Sequence, residues 1–141
     1  MINYNDAFNS AKLIPGAHRY LPGWKKKSKA FRAMMGEQSK AQLDMLYDED
    51  ENLSMDVFSP GPYVEATVIF VYGGFWTDYE KSIFSYLAMG PVLNNMRVII
   101  PTLPKCPDVT IPENMRLYLQ EDGGTLLNDV ATIADHASIT D

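Results

Sequence analysis

One short apolar segment constrains the fold of this 141-residue chain more than any other feature. Residues 66–71 are almost all apolar and rich in β-branched side chains, which is typical of a strand buried on both faces of a sheet. The segment runs straight into the turn Gly73-Gly74, and a second apolar run follows at 96–101. Two such strands with a helical segment between them predict a sheet with parallel pairing.

An antiparallel hairpin is predicted before these strands. Residues 42–47 and 53–58 alternate between apolar and polar side chains, and the acidic segment 48–52 joins them. The acidic run 48–51 lacks the spaced ligands and glycine of a calcium loop, so we interpret it as a solvated turn. Hairpin, strand, helix, strand and helix in this order predict an α/β fold with a mixed sheet.

Helices are predicted from periodicity and from end signals. Residues 24–42 carry a helical pattern, whereas residues 1–22 contain two Pro-Gly pairs and read as an irregular arm. Two segments have the S/T-x-x-E form of a capping box and predict helix starts, with the second helix continuing to about Gln120. Gly90-Pro91 should interrupt the first of these helices, Gly123-Gly124 should break the second, and an amphipathic helix should follow from Thr125. The two capping boxes are Thr77–Glu80 and Thr110–Glu113.

Composition narrows the classes of function. The formal net charge is -6, no apolar run reaches 18 residues, and the N-terminus lacks the pattern of a signal peptide, so we expect a soluble, cytoplasmic protein. One cysteine, Cys106, and two histidines, His18 and His136, offer no zinc-ligand spacing. We therefore expect no metal and no membrane partner.

The basic side chains are concentrated near the N-terminus, where Lys25-Lys26-Lys27 and Lys29 lie within one predicted helix. Such a run can bind nucleic acid, but in an acidic chain we favour a helix that lies across an acidic surface or faces solvent. Nucleic acid is accordingly not an expected partner.

The segment Val71 to Trp76 resembles the HGGxW motif that follows the third strand in α/β-hydrolases of the esterase and lipase group. The flanking residues look like those of kynurenine formamidases (arylformamidases) in particular, and the similarity extends over most of residues 4–120. This resemblance implies an incomplete α/β-hydrolase-type mixed sheet flanked by helices, with residues 1–42 as an N-terminal arm and helix and 43–141 as the N-terminal half of a hydrolase domain. The flanking matches are Tyr4-Asn5, 55–58, Asp78, Lys81-Ser82, 84–87, 98–101 and Cys106-Pro107.

The resemblance also implies roles for the loop residues. Backbone N–H groups of Gly73, Gly74 and Phe75 would form an oxyanion hole, in which each donor is worth about 3 kcal/mol to the transition state. Tyr72 and Trp76 would contact a small acyl or aromatic substrate, and the resemblance implies no organic cofactor. The alternative is a purely structural strand-to-helix turn with a packed tryptophan.

Two departures from the family pattern bear on activity. Tyr72 stands where the motif has histidine, and the chain contains no G-x-S-x-G nucleophile elbow. Cys106 has no neighbouring base in the sequence, and His136 and Asp135 do not face each other on a helix. We therefore expect no catalytic triad in this chain and no turnover of esters or N-formyl amides by the chain alone.

The same resemblance predicts a partner. If the chain ends at Asp141, the strand 66–71 lacks one neighbour and becomes an open edge, which is a template for strand pairing. The chain would then act with a complementing C-terminal hydrolase chain, or as a homodimer that binds a ligand without catalysis. A third hypothesis is an interaction module that works through the basic arm.

Overall fold

The computed structural model describes Asn3, Ala7 and residues 9–48 and 53–116. Within these residues four strands form one sheet, and a 3₁₀ helix and a short α-helix connect the third strand to the fourth. The hairpin turn at 49–52, the predicted break at Gly123-Gly124, the helix from Thr125 and the side chain of His136 lie outside the described residues. The elements are α1 (Ser10–Leu13), a 3₁₀ turn (Ala17–Arg19), α2 (Tyr20–Glu37), β1 (Ala41–Asp48), β2 (Leu53–Phe58), β3 (Ala66–Ile69), the 3₁₀ helix Lys81–Ala88, α3 (Met89–Leu93), β4 (Met96–Pro101) and α4 (Ile111–Arg116).

The strands lie in the order β1-β2-β4-β3. β1 pairs antiparallel with β2, β2 pairs antiparallel with β4, and β3 pairs parallel with β4. The predicted hairpin, the parallel pair and the mixed α/β sheet are confirmed. The sheet does not by itself establish a hydrolase fold.

The predicted burial of β3 on both faces is wrong. β3 is an edge strand of the described sheet, with Ala66 and Thr67 exposed and Val68 and Ile69 half-buried. Val68 packs against one core cluster and Ile69 against the other, which explains the continuous apolar pattern. The ladder extends one residue further, because the N–H of Phe70 donates to the carbonyl of Ile99 at 2.8 Å.

The core divides between the two faces of the sheet. Alternate residues of the central strand β4 point to opposite sides, so that Val98 and Ile100 belong to one cluster and Ile99 to the other. The cluster beneath α2 includes Phe31, Met35, Phe58, Tyr72 and Ala88, and the second includes Met55, Val57 and Leu103. Tyr72 therefore belongs both to the core and to the loop that follows β3.

Helix α2 begins four residues earlier than the sequence pattern predicts and ends at Glu37. Pro22 lies in its first turn, where backbone N–H groups have no intrahelical acceptor, so proline is tolerated there. The buried hydroxyl of Ser28 donates to the carbonyl of Ile83 at 2.6 Å and accepts from the N–H of Tyr86 at 3.2 Å. This bridge fixes α2 to the 3₁₀ helix Lys81–Ala88.

The two predicted capping boxes have different outcomes. At α4, the N–H of Thr110 donates to Glu113 Oε2 at 2.7 Å and the N–H of Glu113 donates to Thr110 Oγ1 at 3.4 Å, so that box is confirmed. Thr77 instead donates its N–H to the carbonyl of Gly74 at 3.1 Å, and helical structure starts only at Lys81. Gly90-Pro91 lies inside the short helix α3 rather than ending a longer one.

Within the described residues, no helix is long and apolar enough to cross a membrane.

A buried ionic cluster joins α2, the hairpin and the 3₁₀ helix Lys81–Ala88. The carboxylate of Asp56 on β2 is 0% exposed and pairs with Arg32 of α2 and, at 3.1 Å, with Lys81. Lys81 also pairs with Asp44, whose N–H donates to Asp56 Oδ1 at 3.0 Å. Ser85 accepts a further hydrogen bond from Arg32 at 3.2 Å. Opposite charges are thus matched within the cluster, as burial of ions requires.

Candidate functional site

A cavity of about 760 Å³ lies beyond the carboxyl end of β3. Because β3 and β4 are parallel, the loops that follow them meet at this end of the sheet, where ligands commonly bind in α/β proteins. The loop after β3 supplies Val71 to Trp76, Asp78 and Tyr79, and the loop after β4 supplies Leu103, Pro104 and Lys105. The lining is largely apolar, with few polar groups, as small-molecule sites usually are.

The loop after β3 follows an unusual backbone path. Gly74 has φ +142°, and Phe75, Trp76 and Tyr79 have φ of 52°, 60° and 68°. Non-glycine residues in this left-handed region are strained by about 1–3 kcal/mol each, and such strain is concentrated at functional sites. The carbonyl of Gly74 accepts hydrogen bonds from the N–H groups of Thr77, at 3.1 Å, and Asp78, at 2.9 Å, which hold the turn closed.

The two glycines of the turn have different steric requirements. A Cβ added to Gly74 would lie 2.5 Å from the carbonyl oxygen of Asp78 and 3.0 Å from the ring of Tyr79. A Cβ added to Gly73 would meet no atom within 4 Å. Only the second glycine is therefore required by the turn.

Successive N–H groups in this loop are available as donors. Among the described residues, no backbone carbonyl accepts a hydrogen bond from Gly73, Gly74 or Phe75. These three residues all line the cavity. Adjacent backbone donors of this kind can bind the negatively charged oxygen of a tetrahedral acyl intermediate.

Aromatic side chains surround the same loop. Tyr72 is buried and stacks on Phe84 with ring centroids 5.4 Å apart, so its ring is held by the core. Trp76 is 42% exposed and Phe75 is 65% exposed, leaving apolar surface available to a ligand. The carbonyl of Trp76 accepts from the N–H of Cys106 at 2.8 Å, which ties the two loops together. The structure thus brings all five predicted site residues to one cavity.

Sequence reasoning did not identify Tyr79 or Lys105 as site residues. Tyr79 packs edge-on against Phe84 at a centroid distance of 5.8 Å and lines the cavity beside Gly74. Lys105 reaches it from the loop after β4. The rule that loops following adjacent parallel strands lie together could have found Lys105, but the left-handed backbone that places Tyr79 has no sequence signal.

The other candidate residues do not line this cavity. His18 is exposed in the 3₁₀ turn Ala17–Arg19, and Cys106 is half-buried outside the lining. The lining contributed by the described residues contains no serine, cysteine or histidine. Across residues 9–48 and 53–116, no group of three His, Cys, Asp or Glu side chains is placed to hold a metal ion.

Comparisons with known proteins give a match to a solved structure. No protein family and no curated protein matches the chain. A solved structure from a Silicibacter species, described as a "putative thioesterase", matches with 28% sequence identity and a TM-score of 0.75. The match covers 96% of this chain and 48% of the other, so this chain spans about half the length of that protein.

These findings contradict the resemblance to kynurenine formamidases and the membership of the α/β-hydrolase superfamily inferred with it. No family supports either assignment, and the matched structure is described by a different activity. The motif from Val71 to Trp76 was too short to define a family, because any strand followed by a glycine turn and a tryptophan satisfies it. The comparison and the sheet together support the coarser statement, a mixed α/β fold similar to that of the matched structure.

Proposed function

We propose that this chain supplies the acyl-binding part of a hydrolase that cleaves thioesters. The observation that carries the proposal is the cavity beyond β3, where three successive N–H donors adjoin exposed aromatic side chains. We propose a thioester as the substrate because the matched protein is described as a thioesterase. The match covers 96% of this chain, which supports extending that description to it.

The proposed chemistry assigns a role to each part of the loop. A nucleophile adds to the thioester carbonyl, the carbonyl oxygen becomes an anion, and the thiolate then leaves. The N–H groups of Gly73, Gly74 and Phe75 stabilise that anion, at about 3 kcal/mol for each well-placed donor. Tyr72 and Trp76 contact the acyl group.

The nucleophile must come from elsewhere than the described lining of the cavity. The sequence holds no G-x-S-x-G motif, and the lining side chains described above include no serine, cysteine or histidine. We therefore propose that a complementing chain provides the nucleophile and its base, and that the isolated chain binds substrate without turning it over. Pairing along the edge strand β3 is the proposed mode of assembly.

A second candidate function is a dimeric ligand-binding module without catalysis. The edge of β3 favours it, because no strand among the described residues pairs with that edge and the same edge in two copies can pair. The cavity would then bind an acyl or aromatic ligand as its final function. Both candidate functions use the same cavity. In the first, β3 pairs with a strand of a complementing chain, and in the second it pairs with β3 of another copy.

Ligand binding at the oxyanion loop tests the proposal directly. In a Trp24→Phe background, Trp76 is the remaining tryptophan and its fluorescence reports on the cavity. Hexylphosphonate is a tetrahedral anion that mimics the intermediate, whereas hexanamide has a planar, neutral head on an alkyl chain that is one methylene shorter. We expect saturable binding of hexylphosphonate at least tenfold tighter than that of hexanamide.

Glycine variants provide the matched control. Gly74→Ala should abolish the preference for the tetrahedral anion, and Gly73→Ala should retain it. Equal binding of the two probes by the unmodified chain would overturn the oxyanion assignment without any variant. Thiol release from hexanoyl-pantetheine by the chain alone would contradict the proposed need for a complementing chain.

A further inference from the structure

A second cavity, of about 510 Å³, lies between α2 and the segment that leads into the 3₁₀ helix Lys81–Ala88. One face of α2 supplies side chains at i, i+4, i+8 and i+11, which follow one side of a helix. The opposite wall comes from residues 79–83 and from the loop after β4. The lining residues are Leu21, Lys25, Lys29, Arg32, Tyr79, Glu80, Ser82, Ile83 and Lys105.

The lining carries an excess of positive charge. Arg32 is paired with Asp56, but Lys25, Lys29 and Lys105 have no ion-pair partner among the described residues. Glu80 is the acidic residue of the lining, so the cavity stays cationic in a chain whose net charge is -6. Lys25 and Lys29, four residues apart on one helix, repel each other, and a bound anion would relieve that repulsion.

The two cavities adjoin each other. Tyr79 and Lys105 line both, so they form the boundary between the apolar cavity and the cationic one. A ligand that occupies both needs an acyl end, a narrow linker and a negatively charged end. Acyl thioesters of coenzyme A have this composition, with an acyl group, a pantetheine arm and several phosphates.

We infer that the cationic cavity binds the phosphates of an acyl-coenzyme A substrate. This inference rests on the proposed function, because it places the acyl group in the cavity beyond β3. Lys25, Lys29 and Lys105 contact the phosphates, and the pantetheine arm passes Tyr79. Three cations that have no ion-pair partner in the described part of the chain match a carrier with several phosphates better than the single phosphate of a carrier-protein phosphopantetheine.

The test uses coenzyme A without an acyl group, so that the cationic cavity is measured separately from the apolar one. Calorimetric titration at low salt should show coenzyme A binding more tightly than 4′-phosphopantetheine, and pantetheine binding most weakly. Lys25→Gln/Lys29→Gln should weaken coenzyme A binding roughly tenfold, the effect of losing two partly exposed ion pairs. The affinity of this double variant for coenzyme A should also depend much less on salt concentration than that of the unmodified chain.

A matched variant separates a local site from a general effect of charge. Lys26→Gln/Lys27→Gln removes the same charge from the same helix, and neither residue lines the cavity. Coenzyme A affinity should stay within twofold in that variant. Equal weakening by both double variants, or equal binding of coenzyme A and pantetheine, would overturn the phosphate site.

The readouts also distinguish this inference from the proposed function. Hexylphosphonate and hexanamide, compared in the Trp24→Phe background, report on the oxyanion loop. If coenzyme A binds through Lys25 and Lys29 but the tetrahedral anion is not preferred, the phosphate site stands and the thioesterase proposal fails. If hexylphosphonate is preferred but coenzyme A binds no better than pantetheine, the thioesterase proposal stands and the phosphate site fails.

Discussion

Gly74 and Asp78 are joined by a backbone contact that leaves no room for a side chain. The N–H of Asp78 donates to the carbonyl of Gly74 at 2.9 Å, and the carbonyl oxygen of Asp78 lies 2.5 Å from the position that a Cβ on Gly74 would occupy. The φ of Gly74, +142°, is a further barrier to any L side chain. The shape of the loop therefore depends on this one glycine.

Gly74→Ala should distort the loop and lower stability by about 1–3 kcal/mol, because the backbone must move to relieve both the clash and the strain. Gly73→Ala is the control, since its Cβ would meet no atom within 4 Å. Urea denaturation of the two variants measures the difference. A Gly74→Ala chain as stable as the Gly73→Ala chain would contradict this account of the turn.

Asp56→Ala should be strongly destabilising, by about 3–5 kcal/mol. The change leaves Arg32 without its carboxylate partner and leaves the buried Lys81 with the largely exposed Asp44 alone. Asp108→Ala, at an exposed position with no ion pair among the described residues, should change stability by less than about 0.5 kcal/mol. Urea midpoints with unchanged m-values check both numbers, and similar midpoints for the two variants would refute the role of the cluster.

The ion pair between Asp44 and Lys81 should make stability sensitive to acid. The hydrogen bond from Lys81 holds the pKa of Asp44 below its ordinary value of 3.8, although partial burial opposes this. A depressed pKa in the folded state contributes stability above pH 4, and that contribution is lost as pH falls through the folded-state pKa. Asp44 is largely exposed, so the effect should be modest.

Asp44→Asn tests this pH dependence. The unmodified chain should be more stable than Asp44→Asn at pH 7, and the gap should narrow steadily below pH 4. Thermal midpoints between pH 2.5 and 7 provide the comparison. A gap that does not change with pH would show that the ion pair contributes nothing.

Of the two capping boxes that the sequence predicts, one is confirmed and one is wrong. The box at Thr110 and Glu113 formed because both of its hydrogen bonds lie within four residues. The identical pattern at Thr77 failed because the carbonyl of Gly74 captures the N–H of Thr77, and the left-handed residues Phe75 and Trp76 set the path of the loop. Neither interaction is encoded in the S/T-x-x-E spacing.

Longer-range features were harder to predict. The apolar pattern of β3 arises because each face of the strand contacts a core cluster. The pattern does not indicate whether β3 has one neighbouring strand or two. The cationic cavity was missed because its wall combines α2 with Lys105, far away in the chain. The loop residues from Tyr72 to Trp76 are contiguous in sequence, so one motif could predict them together; they line one cavity, and their role in binding stays a prediction.

The edge of β3 gives the last prediction. The N–H of Phe70 donates to β4, and backbone groups alternate in direction along a strand, so the N–H of Thr67 points to the edge that no described strand occupies. Thr67→Pro therefore removes a donor needed by any strand that pairs there, while the ladder with β4 stays intact. Thr67→Val keeps the donor and serves as the control.

If the edge mediates assembly, light scattering should show a concentration-dependent dimer for the unmodified chain and for Thr67→Val, and a monomer for Thr67→Pro. A dimer that persists in Thr67→Pro would locate the interface elsewhere.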